Sequence, residues 1–215
     1  MISPSPSSVP PHDPGPGGRP SWLLIGPALA ASLGAFLLAG PVGLEGESVR
    51  RELHLPSSAT LWVFVAFLLP AALTALLGVL LGRRWPTAVT LPATALLILG
   101  TLLTALAPGG GPLLFGRAVT GLGAGLAWGV TGVFVVRSGP RRNWLAPVVG
   151  GVLVLALILG AAAGTFVTRA LGWRWLFFPT VPFELAAFLV AAVTGIVVLV
   201  RRPSQPAQPP AAPPG

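Results

Sequence analysis

The stretch that most constrains this chain runs from Leu113 to Arg137, LLFGRAVTGLGAGLAWGVTGVFVVR. Before its closing arginine it holds one charge, Arg117, in an apolar span about as long as a bilayer is thick. Gly121, Gly125 and Gly129 recur at every fourth position, so one face of the expected helix is nearly bare backbone. In lipid, packing replaces the hydrophobic effect as the force that joins helices, and small residues at this spacing let a neighbour come close. An arginine beside such a seam predicts a helix at the centre of a membrane bundle.

Composition points the same way. The chain is 53% hydrophobic and 8% charged, against about 25% charged in soluble domains, so the expected fold is an all-α integral membrane protein. The formal charge of +8 comes from arginines at the ends of apolar runs, not along one basic face. That placement argues against nucleic-acid binding. Without cysteine there is no disulfide framework, thiol catalyst or Cys-ligated zinc.

Six apolar spans follow one another at about 21–43, 59–82, 87–107, 113–136, 145–170 and 175–200, each near the ~20 residues a bilayer requires. The 44–58 connection, LEGESVRRELHLPSS, sets Val49, Leu53 and Leu55 among charges and is expected to lie on the membrane surface. The Pro/Ser/Gly-rich residues 1–20 and the Pro/Ala-rich residues 203–215 have little to bury and are expected to be disordered tails. With both tails on one side, that side carries eight arginines against five on the other. Arginine excess marks the cytoplasmic side, so both termini are expected in the cytoplasm of a cell-membrane protein. Trp22, Trp62, Trp85, Trp144, Trp173 and Trp175 fall at span ends, where an amphipathic ring is favoured. Trp128 lies mid-span and is read as filling space in the bundle.

From Leu55 onward the order of features resembles one half, the N-terminal six helices, of a major facilitator superfamily transporter. It is most similar to the drug:proton antiporter branch of fourteen helices. Trp62-Val63 opens the second span and Gly78-Val79-Leu80-Leu81-Gly82-Arg83-Arg84 closes it, as in the family's cytoplasmic loop motif. Arg117, Gly121, Gly123 and Ala124 stand in the pattern of the fourth helix. Gly151, Gly160 and Gly164 keep the glycine spacing of the fifth, which the family uses to let helices rock. Trp173, Arg174, Trp175, Phe177 and Pro182 match the junction between the fifth and sixth helices. The pattern is degenerate. Gly82, Trp85 and Pro86 replace loop-motif residues, and Thr165, Thr168 and Arg169 replace the antiporter motif's proline and glycine pair.

What the resemblance implies is efflux of small hydrophobic compounds coupled to protons. Such transporters enclose a midplane site between two repeats, so a single half implies a homodimer or a partner membrane subunit. The resemblance assigns Arg117 to proton coupling; the structural alternative is an arginine reaching for the headgroups. From the residues alone, Glu184 is the one acid inside an apolar span. If the sixth helix starts near Trp175, the carboxylate is about 13 Å deep. If Pro179 or Pro182 starts it, the group lies near the first turn, where the helix dipole favours an anion. Arg117 is its expected partner, and the two form the expected polar pair for coupling.

The glycine seams, including Gly26/Ala30/Gly34, read as helix-packing or hinge faces. Pro70, Pro92 and Pro147 are expected to kink or start helices. Gly78, Arg83 and Arg84 belong to the loop motif, and the paired arginines set topology while touching membrane lipid. The Pro108–Pro112 run, PGGGP, is expected to be a tight turn. No nucleophile beside a histidine, no intramembrane carboxylate pair and no metal-ligand cluster stands in the sequence, so no enzyme activity, metal or cofactor is expected. A non-transporting membrane scaffold built on a transporter half is the alternative reading.

Overall fold

Gly121, Gly125 and Gly129 set the architecture, because each is pressed against backbone of a second helix. In the computed structural model, which describes residues 24–41 and 59–200, six α-helices follow one another. They are α1 (Ile25–Ala39), α2 (Ala59–Arg84), α3 (Pro86–Ala105), α4 (Gly110–Val136), α5 (Arg142–Leu171) and α6 (Thr180–Val200). Short 3-10 turns at Gly139–Arg141 and Trp173–Leu176 precede α5 and α6. There is no strand among the described residues. The expected tails, the expected surface segment 44–58 and the tryptophan at position 22 lie outside them.

The central helix is α4, packed mainly on α2 and α3 and also on α1. Its most apolar window is 72% buried inside the bundle, against 11% for the span containing α5. The reason is the missing side chains. A Cβ at Gly121 would be driven into the Phe67 carbonyl, one at Gly125 into that of Ala71 and one at Gly129 into that of Ala75. Three contacts four residues apart on both helices hold α2 and α4 in one register. The other face of α4 closes on α3 in the same way, with Gly100 against Thr120 and Gly116 against Thr104. A second seam joins α1 to α5, where Gly160 meets the Phe36 carbonyl and Gly164 that of Gly40. Gly34 of α1 sits on Ala124 of α4, and Gly26 on Ala191 of α6.

Five stretches, each carrying one of α2 to α6, are long and apolar enough to cross a membrane. The described part of α1 has 15 residues, about 22 Å at 1.5 Å per residue, and the expected span 21–43 runs past it at both ends. The core holds Leu37, Phe67, Leu97, Leu113, Trp173 and Phe177 among many alanines. Leu73, Leu76 and Leu80 of α2 and Val152, Leu155, Leu159 and Phe166 of α5 point outward. An apolar exterior is what lipid requires.

Three expectations change. Residues 110–112 of the supposed PGGGP turn form the first turn of α4, which starts three residues early. Pro112 is tolerated there because a first-turn N–H has no helical acceptor. The sixth helix starts at Thr180 rather than 175. Pro179 disfavours helical geometry in the residue before it, and Pro182 again falls where no N–H is missed. Finally, Trp173 is 2% exposed and sits in the core, so it is no interfacial ring. Trp62, Trp85, Trp144 and Trp175 are exposed. Pro70, Pro92 and Pro147 all lie inside helices.

Candidate functional site

Arg117 is the eighth residue of α4, about 10 Å from the helix start, deeper than a start at Leu113 implies. It is 0% exposed. Its guanidinium carbon lies 4.7 Å from the centre of the Phe67 ring, a cation–π geometry within the usual reach of about 6 Å. None of its three nitrogens has a hydrogen-bond partner among the described residues. The location follows from the seam. Arg117 is one turn ahead of Gly121, which meets Phe67, and one heptad ahead of Ala124, which meets α1.

Glu184 is the fifth residue of α6 and 1% exposed. Its Oε1 accepts a hydrogen bond from the Thr101 hydroxyl of α3 at 2.7 Å. The Thr180 hydroxyl lies 3.3 Å from the same oxygen and 2.7 Å from the Phe177 carbonyl. With one proton to give, Thr180 holds the shorter bond to Phe177. Oε2 has no partner among the described residues. The N-terminal placement of Glu184 is the second of the two alternatives, and its partner is a hydroxyl.

The structure does not join the expected polar pair. No ion pair forms between Arg117 and Glu184, because α4 turns Arg117 toward α2 while Glu184 enters the α3–α6 interface. Gly100 and Thr101 are neighbours on α3 and face different helices, Gly100 against α4 and Thr101 against α6. The result is two separate buried polar points. One is a cation over an aromatic face, suited to hold an acceptor or an anion. The other is a carboxyl group with one hydroxyl donor, able to take or release a proton.

Thr101 and Thr180 were not singled out by sequence reasoning. The signal was available: Thr90, Thr94 and Thr101 mark one stripe of α3 at helical spacing. Thr90 and Thr104 donate to the carbonyl one turn back, at 2.9 and 2.7 Å, and Thr94 sits between the carbonyls of Leu91 and Thr90, at 2.9 and 3.0 Å. Of these four, Thr101 reaches a side chain instead.

The other expected residues divide. Gly78 faces the Leu126 carbonyl, with 2.6 Å available to a Cβ, and so serves packing. Arg84 is exposed. The Arg83 carbonyl, one of the terminal acceptors a helix leaves unpaired, accepts a 2.7 Å hydrogen bond from Nη1 of Arg137. Gly160 and Gly164 pack against the backbone of Phe36 and Gly40, but Gly151 is exposed with nothing within 4 Å of an added Cβ. It is not part of the seam, because it lies nine residues before Gly160 and turns out of the α1 face. Trp128 fills space and donates from Nε1 to the Ala31 carbonyl at 3.0 Å. Arg174 donates to the Ala107 carbonyl at 3.1 Å and lies over the Trp173 ring. No group of three metal-ligating residues occurs among the described residues.

No family model matches the chain, but individual proteins do. It is 30% identical over 173 residues to the uncharacterized MFS-type transporter Rv1250 of Mycobacterium tuberculosis, covering 77% of this chain and 30% of that protein. It is 32% identical over 179 residues to the efflux pump dotC of Dothistroma septosporum, covering 80% and 30%. It is 28% identical over 166 residues to the lincomycin resistance protein LmrB of Bacillus subtilis, covering 72% and 35%. The chain thus spans about a third of the length of the curated relatives it matches. The relatives and the apolar helices together make this a multi-pass membrane protein. A buried arginine on a glycine-seamed fourth helix, within a bundle whose sequence aligns with these transporters, places the chain in the major facilitator superfamily.

Proposed function

We propose that the protein exports small hydrophobic compounds in exchange for protons, in the plasma membrane, with both termini cytoplasmic. It would act as a homodimer or with a partner subunit, since one six-helix bundle offers one wall of a midplane site. The observation that carries this reading is Arg117, a fully buried cation with no hydrogen-bond acceptor among the described residues. Burying an unpaired charge costs several kcal/mol, and intramembrane ionisable groups mark pathways and relays. A bundle shaped for stability alone has no use for it. Glu184, held by Thr101 on a different interface, is the second group proposed to carry protons.

The test is proton-driven uptake of a lipophilic fluorescent dye into inverted proteoliposomes. Wild-type protein is expected to move dye only with a proton gradient, and Arg117→Met and Glu184→Gln to abolish that flux. Flux equal to protein-free liposomes would overturn the reading. The second reading, a membrane scaffold, is favoured by the replaced motif positions Gly82, Trp85, Thr165, Thr168 and Arg169. Under it Glu184→Gln leaves partner binding intact. Mass measurement in lipid nanodiscs separates the two, because a lone monomer has no opposite wall.

A further inference from the structure

The α2 and α4 helices end together, tied by the bond from Arg137 to the Arg83 carbonyl. Between them lies a cavity of about 260 Å³ lined by Val79, Arg83, Gly132, Val133, Val136 and Arg137. Its walls are apolar side chains and the bare backbone of Gly132, and its rim carries two exposed arginines. Arg137 uses one nitrogen on the Arg83 carbonyl, so its guanidinium is held at the rim with other N–H groups still free. The only acid among the described residues is Glu184, near the N-terminus of α6. The helices alternate in direction, so that end is opposite to the ends of α2 and α4. Nothing described neutralises the rim, and the α4–α5 turn adds Arg141 and Arg142 nearby in the chain.

We propose that this groove is a binding site for one anionic phospholipid. The phosphate sits on Arg83 and Arg137, and an acyl chain runs over Val79, Gly132, Val133 and Val136. Three features of the groove select this occupant. The groove joins an apolar floor to a cationic rim, which matches the order of groups in a phospholipid. Its volume is below the roughly 300–1,000 Å³ of sites that enclose drug-sized ligands, which favours a slender chain. It opens on an apolar helix surface, so the chain enters sideways from the bilayer. Gly132 is what makes the floor, as a Cβ there meets nothing within 4 Å. The site is independent of whether the protein transports.

The experiment is native mass spectrometry of the full chain released from nanodiscs of dioleoylphosphatidylcholine doped with dioleoylphosphatidylglycerol. The readout is the fraction of protein retaining one lipid and which lipid it is. Wild-type protein is expected to retain phosphatidylglycerol about 30-fold over phosphatidylcholine, the preference two surface arginines give an anionic lipid. Arg83→Gln with Arg137→Gln is expected to erase that preference. Gly132→Phe fills the floor without changing any charge, and is expected to cut retention of phosphatidylglycerol at least tenfold. Gly132→Leu repeats the test with a smaller group, should the phenylalanine disturb folding by circular dichroism. Equal retention of the two lipids overturns the proposal. So does a loss seen only in the arginine variant, which would mean diffuse attraction at the surface. A second copy of the chain displaced by Gly132→Phe, with no lipid adduct, would overturn it as well.

Discussion

Substituting Gly125 by alanine should pry α4 away from α2, and the size of the effect follows from the seam. An added Cβ is driven into the Ala71 carbonyl oxygen, lies 2.8 Å from that carbonyl carbon and crowds the Thr74 hydroxyl. Ordinary contact needs at least about 3.4 Å, so the helices must part by roughly 0.6 Å or more. A gap of 0.5–1 Å already forfeits a quarter to a half of each atomic contact along the interface. The atoms struck are backbone and cannot rotate away. The Thr74 hydroxyl lies 2.8 Å from the Pro70 carbonyl of its own helix and 3.0 Å from the Leu122 carbonyl across the same seam, and that cross-seam contact is stretched too. Overpacking of this kind costs about 1–3 kcal/mol, and the upper end is expected because two helix backbones collide. The assay is unfolding in detergent–lipid micelles, followed by circular dichroism. Because the chain has no cysteine, a disulfide-crosslinking pair placed across α2 and α4 reports the separation directly. Gly151→Ala is the internal control, since its Cβ meets open space. It should stabilise α5 by up to about 1 kcal/mol through helix propensity. The two substitutions are chemically identical and should have opposite signs. If Gly125→Ala leaves both stability and crosslinking unchanged, the glycine seam does not set the register of α2 and α4.

Arg117→Met should raise stability by about 1–4 kcal/mol or more, since apolar replacement of even a paired buried charge can gain that much, while removing any coupled flux; a destabilised variant would reveal an acceptor outside the described residues. Thr101→Val removes the 2.7 Å donor to Glu184 and should cost about 1–3 kcal/mol, with Thr101→Ser restoring most of it; equal stability of the two variants would show that the hydroxyl does not hold the carboxyl group. Trp128→Phe deletes the bond to the Ala31 carbonyl and should lower stability by about 0.5–1.5 kcal/mol for the bond plus the smaller ring, read by chemical denaturation in the same micelles. No change there would mean that α1 and α4 are held by Gly34 and Ala124 alone.

Much of this architecture is legible in the linear order of residues, for a physical reason. A bilayer imposes a span of about 20 apolar residues, so α2 to α6 can be counted without knowing any contact. The three glycines of α4 likewise announce a close approach, because only a missing Cβ permits one. What α4 approaches is another matter. Gly160, Gly164 and Gly151 look alike in sequence, yet two meet the carbonyls of α1 and the third meets nothing. Helical periodicity gives the direction of a side chain, not the neighbour waiting there.

The two charged groups show the same division. Sequence alone determined that Arg117 and Glu184 are the ionisable residues away from the ends of the predicted membrane spans, where only Arg169 also falls, since charge in an apolar run stands out by composition. Pairing them assumed that opposite charges in a low-dielectric bundle must meet. Tertiary structure decided otherwise: the α2–α4 seam turns Arg117 over Phe67, and the start of α6 at Thr180 delivers Glu184 to Thr101. Backbone contacts made through absent side chains fix the rotation of each helix, and that rotation determines which interface each charge enters.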